Sequence, residues 1–289
     1  MSVDEINENL NNLYEKYDLR EDKCVLAGAC SNSCKWESPD KRRTPPVGAY
    51  VGEEYEKHRI LFVAINYNYD SLAESSEDED NLFDYVQKYV SRSKETINSR
   101  WIDGAIHAVV ERILGENNLS PDETKKCFAY TNVVKCSVSK NAGMYTRTMF
   151  ENCAIRQAYV FKEIDILRPQ QIIAFGRDPF EALKSNFAST IQVTGDFQDW
   201  LFRFQSNGRQ RSVIRLYNPG QGYRYIRKEW KSIKQSGSIG QHWRPFFPDQ
   251  LSNSEIVSEL KAKESKVKYQ DHFNPLYEVV LEKLVELSK

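Results

Sequence analysis

ILFVAIN, Ile60 to Asn66, is a continuous apolar run that stops at an asparagine-bearing loop, Asn66-Tyr67-Asn68. A strand with one wet face alternates polar and apolar residues, whereas a strand covered on both faces reads as an unbroken apolar run. ILFVA is of the second kind, which predicts a parallel sheet with helices on both sides. Three further runs repeat the pattern. FAYTNVV, inside Cys127 to Cys136, delivers Asn132; QIIAFG spans Gln171 to Gly176; VIRLY, Val213 to Tyr217, leads into Asn218-Pro219-Gly220. A helical stretch around residues 149 to 167 separates the second strand from the third. This alternation predicts an α/β fold, three layers α/β/α around a central, mostly parallel four-stranded sheet. Ligands bind outside the carboxyl ends of the strands in such sheets, so Asn66, Asn132 and Asn218 are expected to face one site. A single asparagine reads as a turn residue bonded to its own backbone; three of them at successive strand ends call for another explanation.

A chain of 289 residues suits one α/β domain with additions. The core is expected at about 45–235, with an N-terminal helix and cysteine loop at 1–44 and a C-terminal helical extension at 236–289. Ile6, Leu10, Leu13 and Tyr14 have helical spacing, and so do Leu276, Val279, Val280, Leu284 and Leu287. Further helices are predicted near 81–92, 97–114 and 252–264, and another starting at Asp178. IQV, WLFRF and SVIRLY, between Thr190 and Tyr217, suggest a hairpin-like insert before the last core strand. No apolar run reaches the length of a membrane span and the amino terminus is acidic and polar, so a cytoplasmic protein is expected.

The formal net charge is −1, yet the charges are unevenly placed. Arg209, Arg211, Arg215, Arg224, Arg227, Lys228, Lys231 and Lys234 cluster against Glu229 alone, with Tyr217, Tyr223, Tyr225 and Trp230 between them. Cations neutralise phosphates while aromatic faces stack on bases. Taken alone a charge run is a solvated face; beside the Asn218 loop it predicts a DNA partner. The run ESSEDED, Glu74 to Asp80, masks it in the total. No protein partner is evident.

Six cysteines in a reducing compartment read as thiols or metal ligands rather than disulfides. Cys127 alternates with Ala129 and Thr131 and reads as a small buried hydrophobe. For the others, spacing leaves an iron-sulfur cluster, a tetrahedral zinc and plain thiols all open.

Together, FVAIN, YTNVVKC, the segment from Cys153 through EIDILRPQQIIAFGRDPFEAL, and NPG resemble the uracil-DNA glycosylase superfamily over residues 59 to 230. The middle third is similar to its iron-sulfur branch, and the two loops to GINPG and NPS of the mismatch-specific branch. The resemblance implies a monofunctional DNA glycosylase that hydrolyses the N-glycosidic bond of a flipped pyrimidine. In it Asn66 orients the water, Asn218 contacts the departing base, Asn132 reads the base edge, and Tyr67 and Asn68 lie beside the base. Gly220, Gln221, Tyr223 and Arg224 form the loop that enters the DNA, with Tyr223 as the wedge, and Arg227 and Lys228 complete the DNA-binding set. The family pattern implies a 4Fe-4S cluster on Cys30, Cys34, Cys136 and Cys153, with Cys24 as a substitute, and zinc as the rival metal. Uracil-specific relatives carry a tyrosine where this chain has Asn68. The smaller residue opens the side of carbon five, favouring 5-substituted cytosines such as glucosylated hydroxymethylcytosine of phage DNA, and hence antiviral defence, alongside uracil and DNA repair. Two departures, Tyr67 and Asn68 in place of proline and glycine, also admit a non-catalytic nucleic-acid-binding iron-sulfur protein of the same fold. Asp70 reads as an exposed loop acid. NPG lacks the nucleophile that covalent capture of abasic DNA requires.

Overall fold

The computed structural model describes residues 1–19, 24–37, 46–65, 101–116, 118–136, 138, 145–187, 192–193, 197–206, 208–217, 221–264 and 274–288. In chain order the first elements are α1 (Val3–Lys16), α2 (Ala27–Glu37), β1 (Tyr50–Val51), α3 (Tyr55–His58), β2 (Ile60–Ala64), α4 (Trp101–Leu114), α5 (Pro121–Lys126) and β3 (Phe128–Asn132). There follow α6 (Arg147–Phe150), a π-helix (Glu151–Arg156), α7 (Tyr159–Leu167), β4 (Gln171–Phe175), α8 (Arg177–Asn186), β5 (Gln192–Val193), β6 (Leu201–Ser206) and β7 (Arg209–Leu216). The last are α9 (Gln221–Ser236), α10 (Asn253–Glu264) and α11 (Pro275–Ser288). The helix expected near 81–92 and the acidic run lie outside the described residues.

The strands form one sheet in the order β1-β3-β2-β4-β7-β6-β5. Its centre, β3-β2-β4-β7, is parallel: Ile60 lies opposite Phe128 on one side and Gln171 on the other, and Phe175 lies opposite Leu216. The protein is mixed α/β, as the apolar runs predict, but among the described residues the sheet has seven strands instead of four. The segment expected as a separate hairpin extends the sheet, because β7 is at once the last parallel strand and the hairpin partner of β6. β1 adds to the opposite edge, antiparallel to β3.

Strand alternation sends Ile60, Phe62 and Ala64 to one face and Leu61 and Val63 to the other. The first face is covered by α4, α9, α10 and α11 through residues such as Val109, Trp230, Leu260 and Leu284. The second is covered by α1, α2, α7 and α8 through residues such as Leu10, Cys34, Ile164 and Phe180. α1 starts on a capping box in which the Glu5 N–H donates to Ser2 Oγ (3.2 Å) and the Ser2 N–H to Glu5 Oε2 (2.7 Å). It buries Ile6, Leu10, Leu13 and Tyr14, the four residues with helical spacing. α11 belongs to the core and not to an appendage. At its end Ser288 accepts a hydrogen bond from Gln171 Nε2 on its hydroxyl (2.8 Å) and from the Ser212 hydroxyl on its carbonyl (2.8 Å). Among the described residues no helix is long and apolar enough to cross a membrane.

A buried ion pair fastens the second face. Lys135, 1 % exposed, places Nζ 2.7 and 2.6 Å from the two carboxylate oxygens of Glu163, which is fully buried on α7. Thr131 Oγ1 accepts from Lys135 Nζ (2.6 Å) and donates to Glu163 Oε2 (2.6 Å). Tyr14 of α1 donates to Glu163 Oε1 (2.7 Å) and accepts from the Ala49 N–H (2.8 Å). Every polar atom of the pair therefore has partners, the condition under which buried charge is tolerated. Glu163→Ala strands an ammonium in the core and is expected to cost about 3–5 kcal/mol in urea unfolding, whereas Lys135→Met combined with Glu163→Leu is expected to cost less.

Candidate functional site

The parallel strands follow the chain in the spatial order second, first, third, fourth, so the connection leaving β2 passes to one side while β4 lies on the other. Open α/β sheets bind ligands at such a reversal, outside the carboxyl ends. Ala64, Asn132, Phe175 and Leu216 end their strands along this edge, with Ala64 in register with Asn132 and Phe175 with Leu216. β4 turns sharply there into α8 at Gly176, whose φ of 106° is accessible to glycine and strained for other residues.

Asn132 is the asparagine of this edge that the described residues contain. It is 1 % exposed, and its face of β3 is the one carrying Phe128 and Tyr130 toward α4 and α11. Its Oδ1 accepts from the Tyr130 hydroxyl at 3.5 Å, while its Nδ2 has no hydrogen-bond partner among the described residues. An orphaned buried amide donor costs about 1–3 kcal/mol. Asn66, Tyr67, Asn68, Asp70, Asn218 and Gly220 lie outside the described residues, although the strands leading to them, β2 and β7, open on the same edge.

α9 begins directly after the Asn218 loop. Gln221, Tyr223 and Arg224 are in its first turn, and Arg227 and Lys228 are exposed one turn on. Tyr225 is 43 % exposed and its ring lies 5.6 Å from that of Tyr217, which also contacts Trp200 (5.4 Å) and Trp243 (6.0 Å). These rings form an aromatic layer around Tyr217. Sequence reading missed it, because Trp200 and Trp243 lie far along the chain from Tyr217.

The cysteines occupy a second location, on the opposite face of the sheet. Cys24, Cys30, Cys136 and Cys153 line one cavity, closed by Leu19, Leu26, Ala27 and Tyr159 and bordered by Lys135. Cys34 lies one helical turn beyond Cys30 on α2, and its thiol contacts Met149 Sδ (3.8 Å) instead. Cys24, just before α2, lines the cavity beside Cys30. No disulfide joins any of the six. The π-helix carries both Asn152 and Cys153 to the cavity, and Asn152 Nδ2 donates to Cys30 Sγ (3.3 Å). Burial pushes the Cys153 thiol up to about 12, so loading a metal there must release a proton. Four cysteines line this mostly apolar cavity and are the residues that could hold a cubane, which takes one thiolate per iron. Among the described residues no three His, Cys, Asp or Glu side chains converge as a single metal ion requires. Cys127 is elsewhere; its thiol donates to the Glu123 carbonyl (3.2 Å) and burial raises it to about 11, the behaviour of an inert buried side chain.

Compared with protein-family models and with curated proteins, the chain finds no match.

The cavity separates two ligand sets. In protein reconstituted with iron and sulfide, Cys24→Ala and Cys153→Ala are expected to lose most bound iron, and Cys34→Ala to keep it, as read by iron and sulfide analysis.

Proposed function

We propose that the protein is a monofunctional DNA glycosylase acting on a flipped pyrimidine. The orphaned Asn132 Nδ2 carries this reading. A buried donor kept without a partner at the carboxyl edge of the sheet suits a ligand that brings an acceptor, and a pyrimidine ring carbonyl is such an acceptor. The Tyr130 hydroxyl holds the other end of the amide, which fixes the direction of the donor.

Breaking the N-glycosidic bond leaves positive charge on the sugar and negative charge on the departing base. Donors placed in advance at the base lower that barrier, and the nucleotide must leave the stack to reach them. Asn132 is the donor on the base edge. Asn66 orients the attacking water, since an amide hydrogen-bonds water without becoming charged, and Asn218 donates to the leaving base. Arg227 and Lys228 take phosphates, with Gln221, Tyr223 and Arg224 in the first turn of the same helix, and Gly220 before them in the chain, contacting the DNA. Tyr67 and Asn68 flank the base. The preferred substrate is a pyrimidine with a polar group on carbon five, such as glucosylated hydroxymethylcytosine, with uracil as the unsubstituted case. A 4Fe-4S cluster on Cys24, Cys30, Cys136 and Cys153 is structural in this scheme. When bound it cross-links the N-terminal segment to the strand–helix connection behind Asn132.

Abasic-site formation on uracil-containing, mismatched and phage-modified DNA tests the proposal. Asn132→Leu removes the orphaned donor, so it is expected to leave thermal stability unchanged or higher while lowering excision on the order of a hundredfold. Loss of stability with unchanged excision would remove Asn132 from base recognition. Arg227→Ala with Lys228→Ala is expected to weaken binding to all sequences and to flatten its salt dependence. Salt-dependent DNA binding by the wild type without abasic sites on any substrate would favour the non-catalytic reading. Asn68→Tyr is expected to depress excision of 5-substituted pyrimidines and to spare uracil; a parallel loss on all substrates would remove Asn68 from base selection.

A further inference from the structure

We propose that Asn152 and Tyr159 are hydrogen-bond donors to the cysteine-bound group, setting its electronic state as well as its position; this rests on the cluster reading of the Cys24, Cys30, Cys136 and Cys153 cavity. Both residues line that cavity and are buried, Asn152 at 3 % exposure and Tyr159 at 0 %. Asn152 Nδ2 donates to Cys30 Sγ at 3.3 Å. The Tyr159 hydroxyl lies 3.2 Å from Cys24 Sγ, and either atom can donate while the cysteine is a thiol. A metal-bound thiolate has lost its proton, so loading makes Tyr159 the donor.

The backbone is shaped for this arrangement. The wide turn of the π-helix is closed by a bond from the Gln157 N–H to the Asn152 carbonyl (2.9 Å), and it turns the consecutive residues Asn152 and Cys153 toward one cavity. Ala158 follows with φ 51°, a left-handed conformation that a non-glycine residue adopts at a cost, and it launches α7 with Tyr159 pointing back at Cys24. Tyr17 holds the Tyr159 ring edge-on at 5.6 Å, with Lys162 Nζ 5.6 Å from its centroid. The ammonium of Lys135 borders the same cavity, but the Glu163 carboxylate neutralises it. Gln157 also lines the cavity and the Lys135 backbone hydrogen-bonds Cys153, and Asn152 and Tyr159 add side-chain contacts to sulfur.

A donor on a ligating sulfur draws electron density from it, which stabilises the reduced, more negative cluster and raises the energy of sulfur-to-iron charge transfer. The test uses full-length protein reconstituted anaerobically with iron and sulfide, comparing wild type, Tyr159→Phe, Asn152→Leu and the double variant. Tyr159→Phe deletes one hydroxyl from a packed ring, and Asn152→Leu keeps the branching while removing the donor. Each single change is expected to move the midpoint potential negative and the visible band to longer wavelength. The double variant is expected to show roughly the summed shift and about tenfold faster iron release to a chelator. Asn152→Asp, which substitutes a carboxylate for the donor, is expected to move the potential further the same way. Iron-loaded variants with wild-type potential, band and release rate would overturn the proposal. A wild type that takes up no iron and sulfide would instead overturn the cluster reading on which it rests.

Discussion

The Lys135–Glu163 pair is the constraint on which both candidate sites depend. Lys135 lies three residues after Asn132 and immediately before Cys136, so one buried ammonium fixes the strand end that presents the buried Asn132 amide and the segment that presents a cavity thiol. Its partners come from α7, from β3 and, through Tyr14, from α1. Apolar packing alone is non-directional and would allow these elements to slide over one another. A charge pair with saturated hydrogen bonding does not, because any slip leaves charge buried without a partner.

The two sites therefore lie back to back across the sheet. Asn132 faces the layer of α4 and α11, and the cavity cysteines belong to the layer of α1, α2 and α7. Adjacent residues of an extended strand point to opposite faces, so Thr131 joins the ion-pair network while Asn132 looks the other way. A group held in the cavity would thus be linked to the Asn132 edge through the backbone of this one connection.

Three departures from ideal backbone or full hydrogen bonding lie at these places. The π-helix and the left-handed Ala158 adjoin the cysteine cavity, and the orphaned amide of Asn132 stands at the sheet edge. Each costs folding free energy that the packing around it offsets. The aromatic layer under Tyr217 is built differently. It joins the β6–β7 hairpin to the segment after α9 through Trp200, Tyr217 and Trp243.

Sequence alone determined the parallel strands, because ILFVA, FAYTN, QIIAF and VIRL are apolar at every position or nearly so, and only burial on both faces explains such runs. It also determined α1 and α11, whose apolar residues recur at helical spacing, and the position of Asn132 at a strand end. What it could not determine is anything set by contacts between distant segments. That Cys24 and not Cys34 lines the cavity depends on where α2 and the segment before it meet the connection after β3; both cysteines are near Cys30 in the chain, at six and four residues. The buried partner of Lys135, the sulfur contacts of Asn152 and Tyr159, and the growth of the sheet from four strands to seven are decisions of the same kind. Periodicity records which face of an element is buried. Only the packed tertiary structure decides what that face meets.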